Sequence, residues 1–333
     1  MNKDTQVSFF IFNLKLICYN IYSKKNKKEA LMNNKVVIIG CGNVGMSYAY
    51  ALLNQRTYVN KLILIDINKE RTYGEVMDLN HCLPYAPSKI SINVGDYEDC
   101  KDARIVVIAA GANQKPGETR TDLINKNASI FKDIVGKVVE SGFAGIFLVA
   151  TNPLDVMTYL TYKYSGFPHN KVIGTGTSLD TARLQLIIGK KLCIDPKSIG
   201  AYVIGEHGDS EFIPWSNANI SLQSIKSFFK EEELLAIESD VRNAAYEIIN
   251  RKGATYYGIG MALVRITNAI LGNENAIIAL SVYDEKNDVY IGLPAIVNSN
   301  GVERRVYLKL NEEETTKLQN SINIIKTNIN SVM

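Results

Sequence analysis

Residues 35–53 read KVVIIGCGNVGMSYAYALL. The first six, KVVIIG, form an apolar, β-branched run, the pattern of a strand buried on both faces. From Cys41 onward the apolar residues recur at helical spacing. At the junction stands Gly40-Cys41-Gly42-Asn43-Val44-Gly45, a G-x-G-x-x-G string set between a strand and a helix. Gly40 permits the tight turn, Gly42 lets the backbone approach a diphosphate, and Gly45 lets the helix pack on the strand. Asn43 and Val44 complete the loop, and the helix N-terminus then faces the phosphates. Asp66 closes the next apolar run, KLILID at 61–66. A carboxylate there hydrogen-bonds both ribose hydroxyls and repels a 2′-phosphate. Strand, glycines, helix and acid in register predict a bound NAD rather than NADP. The alternative is a glycine-rich turn followed by an Asp helix cap.

Working outward, strand-like runs alternate with helical ones. KISINVG, RIVVIAAG and GIFLVATNP read as strands. KERTYGEVMDLNHC and TDLINKNASIFKDIVGKVVES read as helices. This alternation predicts βαβ units in an α/β fold, a doubly wound parallel sheet of Rossmann type. After about residue 175 the pattern changes. Helices are expected at TSLDTARLQLIIGKKL and KEEELLAIESDVRNAAYEIINRK. Shorter strands with turns are expected in AYVIGEHGDSEFIPWSNANI and IALSVYDEKNDVYIGLPAIVNSNGVERRVYLKL, and a closing helix in EEETTKLQNSINIIKTNI. The expected organisation is an extension at 1–31, an NAD-binding domain at 32–175 and an α+β substrate-binding and catalytic domain at 176–333.

With 333 residues, 46% of them hydrophobic and 21% charged, the chain has the composition of a globular protein with a sizeable core. Its five cysteines are scattered and never form C-x-x-C. That argues against a disulfide framework or a zinc site and suits a reducing cytoplasm; no metal is expected. Cys41, inside the glycine loop, reads as small filler. The net charge of +3 sits in residues 1–31, where six lysines face only Asp4 and Glu29. The remainder is near neutral, so no face for nucleic acid is implied. In VSFFIFNLKLICYNIYSKKNKK no apolar run reaches the roughly 18–20 residues that span a bilayer, and Lys15 interrupts it. A membrane-surface anchor is conceivable. The preferred expectation is that Met32 is the start, residues 1–31 being an upstream over-annotation or a dispensable tail, with no membrane partner.

Chemistry needs a proton carrier. His81, in DLNHCLPY, and His169, in GFPHNKV, flank turns and read as packing or surface residues. His207, in GEHGDSE, has little bulk around it and suits proton exchange with a hydroxyl or carbonyl oxygen. Asp180 and Arg183, in LDTAR, share a helix face. They read equally as a weak surface ion pair or as a divided pair, with the acid orienting His207 and the guanidinium forking onto a substrate carboxylate.

VIIGCGNVG, LIDIN, AGANQKPGETR, VATNPLDVMTY, VIGTGTSLDTARL, GEHGDSE and GATYYGIG occur in this order. Together they resemble the L-lactate/malate dehydrogenase family, most closely its bacterial L-lactate dehydrogenases, over about residues 33–330. The resemblance implies NAD-dependent interconversion of pyruvate and L-lactate. It implies His207 as the acid/base, Asp180 as its support and Arg183 as the carboxylate fork. Arg120 would polarise the carbonyl, Thr255 border the pocket and Ile259 pack on the nicotinamide. Asn152 would contact substrate and nicotinamide ribose, with a cis Asn152–Pro153 bond. A cytoplasmic homotetramer is also implied.

The resemblance makes Gln114 the selecting residue. Malate dehydrogenases of this kind carry an Arg there for the second carboxylate of oxaloacetate. An uncharged Gln leaves that charge unpaired in a closed pocket, which is costly, so pyruvate is expected. A malate or bulkier 2-hydroxy acid dehydrogenase is the alternative. A more distant one is an inactive NAD-binding protein that keeps the fold. Activation by fructose 1,6-bisphosphate, common in bacterial members, uses an Arg and a His where this chain has Gln185 and Gly200. Indifference to it is expected, despite Lys190, Lys191 and Lys197 nearby.

Overall fold

The computed structural model describes residues 33–112 and 120–333. The extension and Gln114 lie outside the described residues, and of Arg120 only the backbone is described.

The strands are β1 (Lys35–Ile39), β2 (Lys61–Ile65), β3 (Ser91–Val94), β4 (Ile105–Ile108), β5 (Ile146–Val149), β6 (Val172–Gly174), β7 (Ile199–Gly200), β8 (Asn219–Ile220), β9 (Gln223–Ser224), β10 (Ala276–Asp284), β11 (Val289–Asn298) and β12 (Gly301–Arg305). The helices are α1 (Asn43–Leu53), α2 (Lys69–Cys82), α3 (Arg120–Glu140), α4 (Leu154–Ser165), α5 (Ser178–Leu192), α6 (Glu231–Lys252), α7 (Tyr257–Leu271) and α8 (Glu312–Asn330). Among the described residues, nine strands make one sheet in the order β12-β11-β10-β6-β5-β4-β1-β2-β3. Strands β1 to β6 pair in parallel. The order reverses between β1 and β4, and this is where open α/β sheets form a binding crevice at the strands' carboxyl ends.

The β-branched runs explain the layers. Along β1, Val36 and Ile38 enter one buried cluster, shared with α1 and α7. Val37 and Ile39 enter the other, shared with α3, α4 and α8. Alternate residues thus serve opposite cores, as a strand covered on both faces requires. Each such side chain contributes about 1.5–3 kcal/mol. A third cluster, around Leu184, Ile188, Trp215 and Ile237, lies under α5 and α6.

Two expectations for the second half are modified. The hairpin β10–β11 and strand β12 do not form a sheet of their own. They extend the parallel sheet antiparallel, joining it where Ser281 pairs with Gly174. Residues 201–218, read as short strands, instead hold their turns by isolated bridges, Ile204 to Phe212 and Gly205 to Gly292. Gly205 and Gly292 exchange both backbone bonds at 2.9 Å, and a side chain on Gly292 would strike the Gly205 carbonyl. This contact fixes the turn that carries His207. No described helix is long and apolar enough to cross a membrane.

Candidate active site

At the carboxyl end of β1 the three glycines differ in what they avoid. Gly40 has φ +103° and donates its N–H to the Ile65 carbonyl at 2.8 Å. A side chain there would overlap the backbone of Ala109 and Ala110, and one on Gly45 would overlap the Gly40 carbonyl. Gly42 has an ordinary φ of −80° and nothing within 4 Å of where a Cβ would stand. Its lack of a side chain keeps space open before α1. That helix has no side-chain N-cap and no acid in its first turn, so its N–H groups and dipole are free for an anion. Asp66 is moored to the loop: Oδ2 accepts the Cys41 N–H at 2.7 Å and Oδ1 the Asn68 N–H at 3.0 Å. Each oxygen keeps a lone pair for a ribose hydroxyl. These features fit a dinucleotide. Cys41 is buried, and burial followed by the Asp66 charge pushes its thiol up to about 12. It is filler and not a nucleophile.

His207 stands on the turn that the Gly205–Gly292 bridge anchors. The His207 Nδ1 stands 2.7 Å from Asp180 Oδ2, and Asp180 Oδ1 accepts from Arg183 Nη1 at 2.6 Å. One carboxylate therefore serves both partners, and the two readings of LDTAR merge. Asp180 is buried, the His207 side chain is 25% exposed and that of Arg183 13%. Burial alone would raise the Asp180 carboxyl, but His207 and Arg183 outweigh it and hold it low. Burial alone would depress His207, but Asp180 outweighs it and the ring is pushed up to about 9. A ring pushed up to about 9 is a cation at neutral pH, with its Nδ1–H on Asp180 and a second N–H at Nε2.

Helix α7 ties the two sides together. A Cβ on Gly258 would stand 2.7 Å from Leu179 of α5, and one on Gly260 2.9 Å from the Ser47 backbone of α1. Ile259, between them, packs on the same apolar cluster as Val44. Thr255 lies half-buried in the turn that leads into α7. The Asn152–Pro153 bond is cis, and Asn152 stands exposed at the end of β5.

A profile for the lactate/malate dehydrogenase NAD-binding domain matches residues 34–174, and one for that family's α/β C-terminal domain matches 177–333. The chain belongs to the lactate/malate dehydrogenase family. Within it, an L-lactate dehydrogenase of Geobacillus sp. is 53% identical over 304 residues, covering 88% of this chain and 95% of the relative. L-lactate dehydrogenase 2 of Bacillus cereus is 49% identical over 310 residues, covering 90% and 98%. Among solved structures, a lactate dehydrogenase from a Medee basin deep-sea metagenome library superposes with TM-score 0.89 at 54% identity, covering 91% of this chain and 99% of that one. The minor L-lactate dehydrogenase of Enterococcus mundtii, in its ligands-bound form, gives TM-score 0.89 at 44% identity, covering 90% and 99%.

Three further buried side chains touch the candidate site residues. Asn127 of α3 is buried. Its Oδ1 accepts the Ala112 N–H at 2.8 Å and its Nδ2 donates to the Asn152 carbonyl at 3.0 Å. It ties Ala112, after β4, to Asn152, after β5. Glu211, four residues after His207, is buried with Oε2 3.9 Å from Nδ1. Burial and the Asp180 charge push its carboxyl up to about 8, so it stands neutral beside the couple. Asp155 accepts the His207 backbone N–H at 2.8 Å. Only Glu211 had a sequence signal, its spacing to His207.

Proposed function

We propose that the chain is an NAD-dependent L-lactate dehydrogenase. The observation that carries this reading is the buried Asp180 carboxylate shared between His207 and Arg183, on a helix that α7 ties to the helix of the glycine loop. Gly40, Gly42, Asn43, Val44 and Gly45 would hold the diphosphate and Asp66 the adenosine ribose. Ile259 and Asn152 would hold the nicotinamide end. When bound, the dinucleotide supplies or accepts the hydride.

The chain's own residues supply the proton and the field. The protonated His207 donates from Nε2 to the ketone oxygen of pyruvate, and Asp180 holds the ring in the tautomer that allows it. In the reverse direction the neutral ring takes the hydroxyl proton of L-lactate. Arg183 spends Nη1 on Asp180 and turns its remaining N–H groups to the substrate carboxylate. Arg120, at the start of α3, stabilises the negative charge that grows on the carbonyl oxygen. Gln114 and Thr255 border the substrate's methyl side, and Gln114 offers no partner to a second carboxylate.

The experiment is NADH oxidation by the purified chain with pyruvate. Turnover that disappears in His207→Gln is the expected result; no turnover of any 2-keto acid would overturn the proposal.

Two further properties complete the proposal. Gln185 Nε2 is turned onto the Ile199 and Ala201 carbonyls at 3.2 and 3.5 Å. A side chain on Gly200 would press on Asn219. Neither position offers charge to a phosphate, so the pyruvate saturation curve should not move when fructose 1,6-bisphosphate is added. Tyr50 of α1, Tyr73 and Met77 of α2, and Tyr257 and Met261 of α7 are large exposed apolar residues. They suit self-association into the expected tetramer. The four described cysteines are free, which suits a cytoplasmic setting.

A further inference from the structure

Asp155 opens α4 and has no part in the chemistry described above. It is 3% exposed, and both carboxylate oxygens are occupied. Oδ2 accepts the His207 backbone N–H at 2.8 Å, and Oδ1 accepts the Ser281 hydroxyl at 2.5 Å. Ser281 lies on β10 at the point where β10 joins β6. One buried carboxylate thus links α4, the antiparallel extension of the sheet and the main chain of the proton carrier.

We propose that Asp155 is a positioning residue: it fixes the 205–208 turn so that the His207 ring meets Asp180, and it places a second negative charge near that ring. This rests on His207 being the acid/base. The geometry alone makes a buried acid here costly unless both its oxygens are satisfied, and they are. Burial pushes the Asp155 carboxyl up to about 6, against the pull of its hydrogen bonds to Ser281 and His207. It is therefore ionised across the range in which His207 titrates, and its charge is among those that raise the ring. The other titratable and charged groups around this ring are Asp180 and Arg183 from α5 and Glu211, four residues on, while Glu206 acts on Asp155 itself. From β10, Ser281 brings an uncharged hydroxyl to Asp155.

Asp155→Asn separates the two roles. The amide oxygen can still accept the His207 N–H while its NH2 donates to Ser281 Oγ, so the turn stays held and only the charge is lost. Asp155→Ala removes both, and Ser281→Ala loosens the carboxylate without removing charge. The readouts are the thermal midpoint and the pH profile of kcat/KM for pyruvate reduction, beside His207→Gln. Asp155→Asn should fold, keep its plateau within a few-fold, and move the alkaline limb down by about one unit. Asp155→Ala should show the same shift and lose about tenfold more in kcat. Ser281→Ala should lose kcat with the limb unmoved.

If His207→Gln abolishes turnover but Asp155→Asn leaves the limb in place, or Asp155→Asn and Asp155→Ala behave alike, this inference fails alone. Should Asp155→Asn not fold, unchanged kcat in Ser281→Ala overturns it instead. If His207→Gln keeps turnover and the limb, the reading of His207 fails and takes this inference with it.

Discussion

Replacing Asp180 with Asn tests the electrostatics of the couple. In the intact chain Asp180 overcomes the burial that would otherwise depress His207, and carries the ring from its ordinary 6.5 to about 9. Without that charge, burial remains and the ring should titrate at or below its ordinary value. Pyruvate reduction needs the protonated ring, so its kcat/KM is full below the ring's pKa and is lost as pH rises through it. At pH 8 about 90% of intact rings carry the proton, against about 3% for a ring at 6.5, a loss of about 30-fold. At about pH 5.5 both rings are protonated, and the loss that remains there reports misalignment of the imidazole. Lactate oxidation uses the neutral ring, so at pH 8 Asp180→Asn should cost it much less. The assay is NADH turnover in both directions across this range. An alkaline limb that stays near pH 9 in Asp180→Asn would refute the reasoning, because it would mean that Asp180 does not set the charge on His207.

Four other outcomes are expected. Gly42→Ala meets open space and an ordinary φ. It should keep its ligand-free stability within about 0.5 kcal/mol while weakening NADH binding about tenfold. Gly45→Ala strikes the Gly40 carbonyl and should cost about 1–3 kcal/mol in the same denaturation assay. His207, Glu211 and Asp155 all hold their protons more tightly in the fold than outside it. The stability they contribute is present at low pH and is lost as pH rises through about 6, 8 and 9. The His207 part alone is about 3 kcal/mol, so urea midpoints of the ligand-free chain should fall between pH 5.5 and 8.5; a flat or rising series would contradict it. Gln114→Arg should move kcat/KM toward oxaloacetate, read from the two keto acids side by side.

The glycine loop, Asp66 and the parallel strands β1 to β5 were legible in the sequence because each is a local signal; β6, three residues long, was not. Strand alternation, a turn that needs Gly40, and a carboxylate at a strand's end are set by neighbours in the chain. The sheet's antiparallel extension was not legible, since IALSVYD carries the same apolar pattern whichever sheet it joins. Its place is decided by the meeting of Ser281 with Gly174, where a Cβ on Gly174 would press on the serine. Helix α7 escaped notice because YGIGMALVRITNAIL opens with two glycines among few helix signals. Those glycines let it touch α5 and α1 at once.

At the site, His207, Asp180 and Arg183 could be picked out by residue type. Their arrangement could not, because spacing left LDTAR open between an ion pair and a divided pair, and the shared carboxylate is both. Asp155 lies 52 residues from His207, and Asn127 acts through main-chain atoms of two separate loops. No local pattern encodes either contact.

The most direct measurement on the central claim is kcat/KM with NADH for pyruvate against oxaloacetate, on the full chain at neutral pH. On the proposed roles of Gln114 as the selecting residue and Arg183 as the carboxylate fork, pyruvate should be favoured by at least about a hundredfold, the cost of burying one unpaired charge being no less than about 3 kcal/mol. Equal values, or a preference for oxaloacetate, would contradict it.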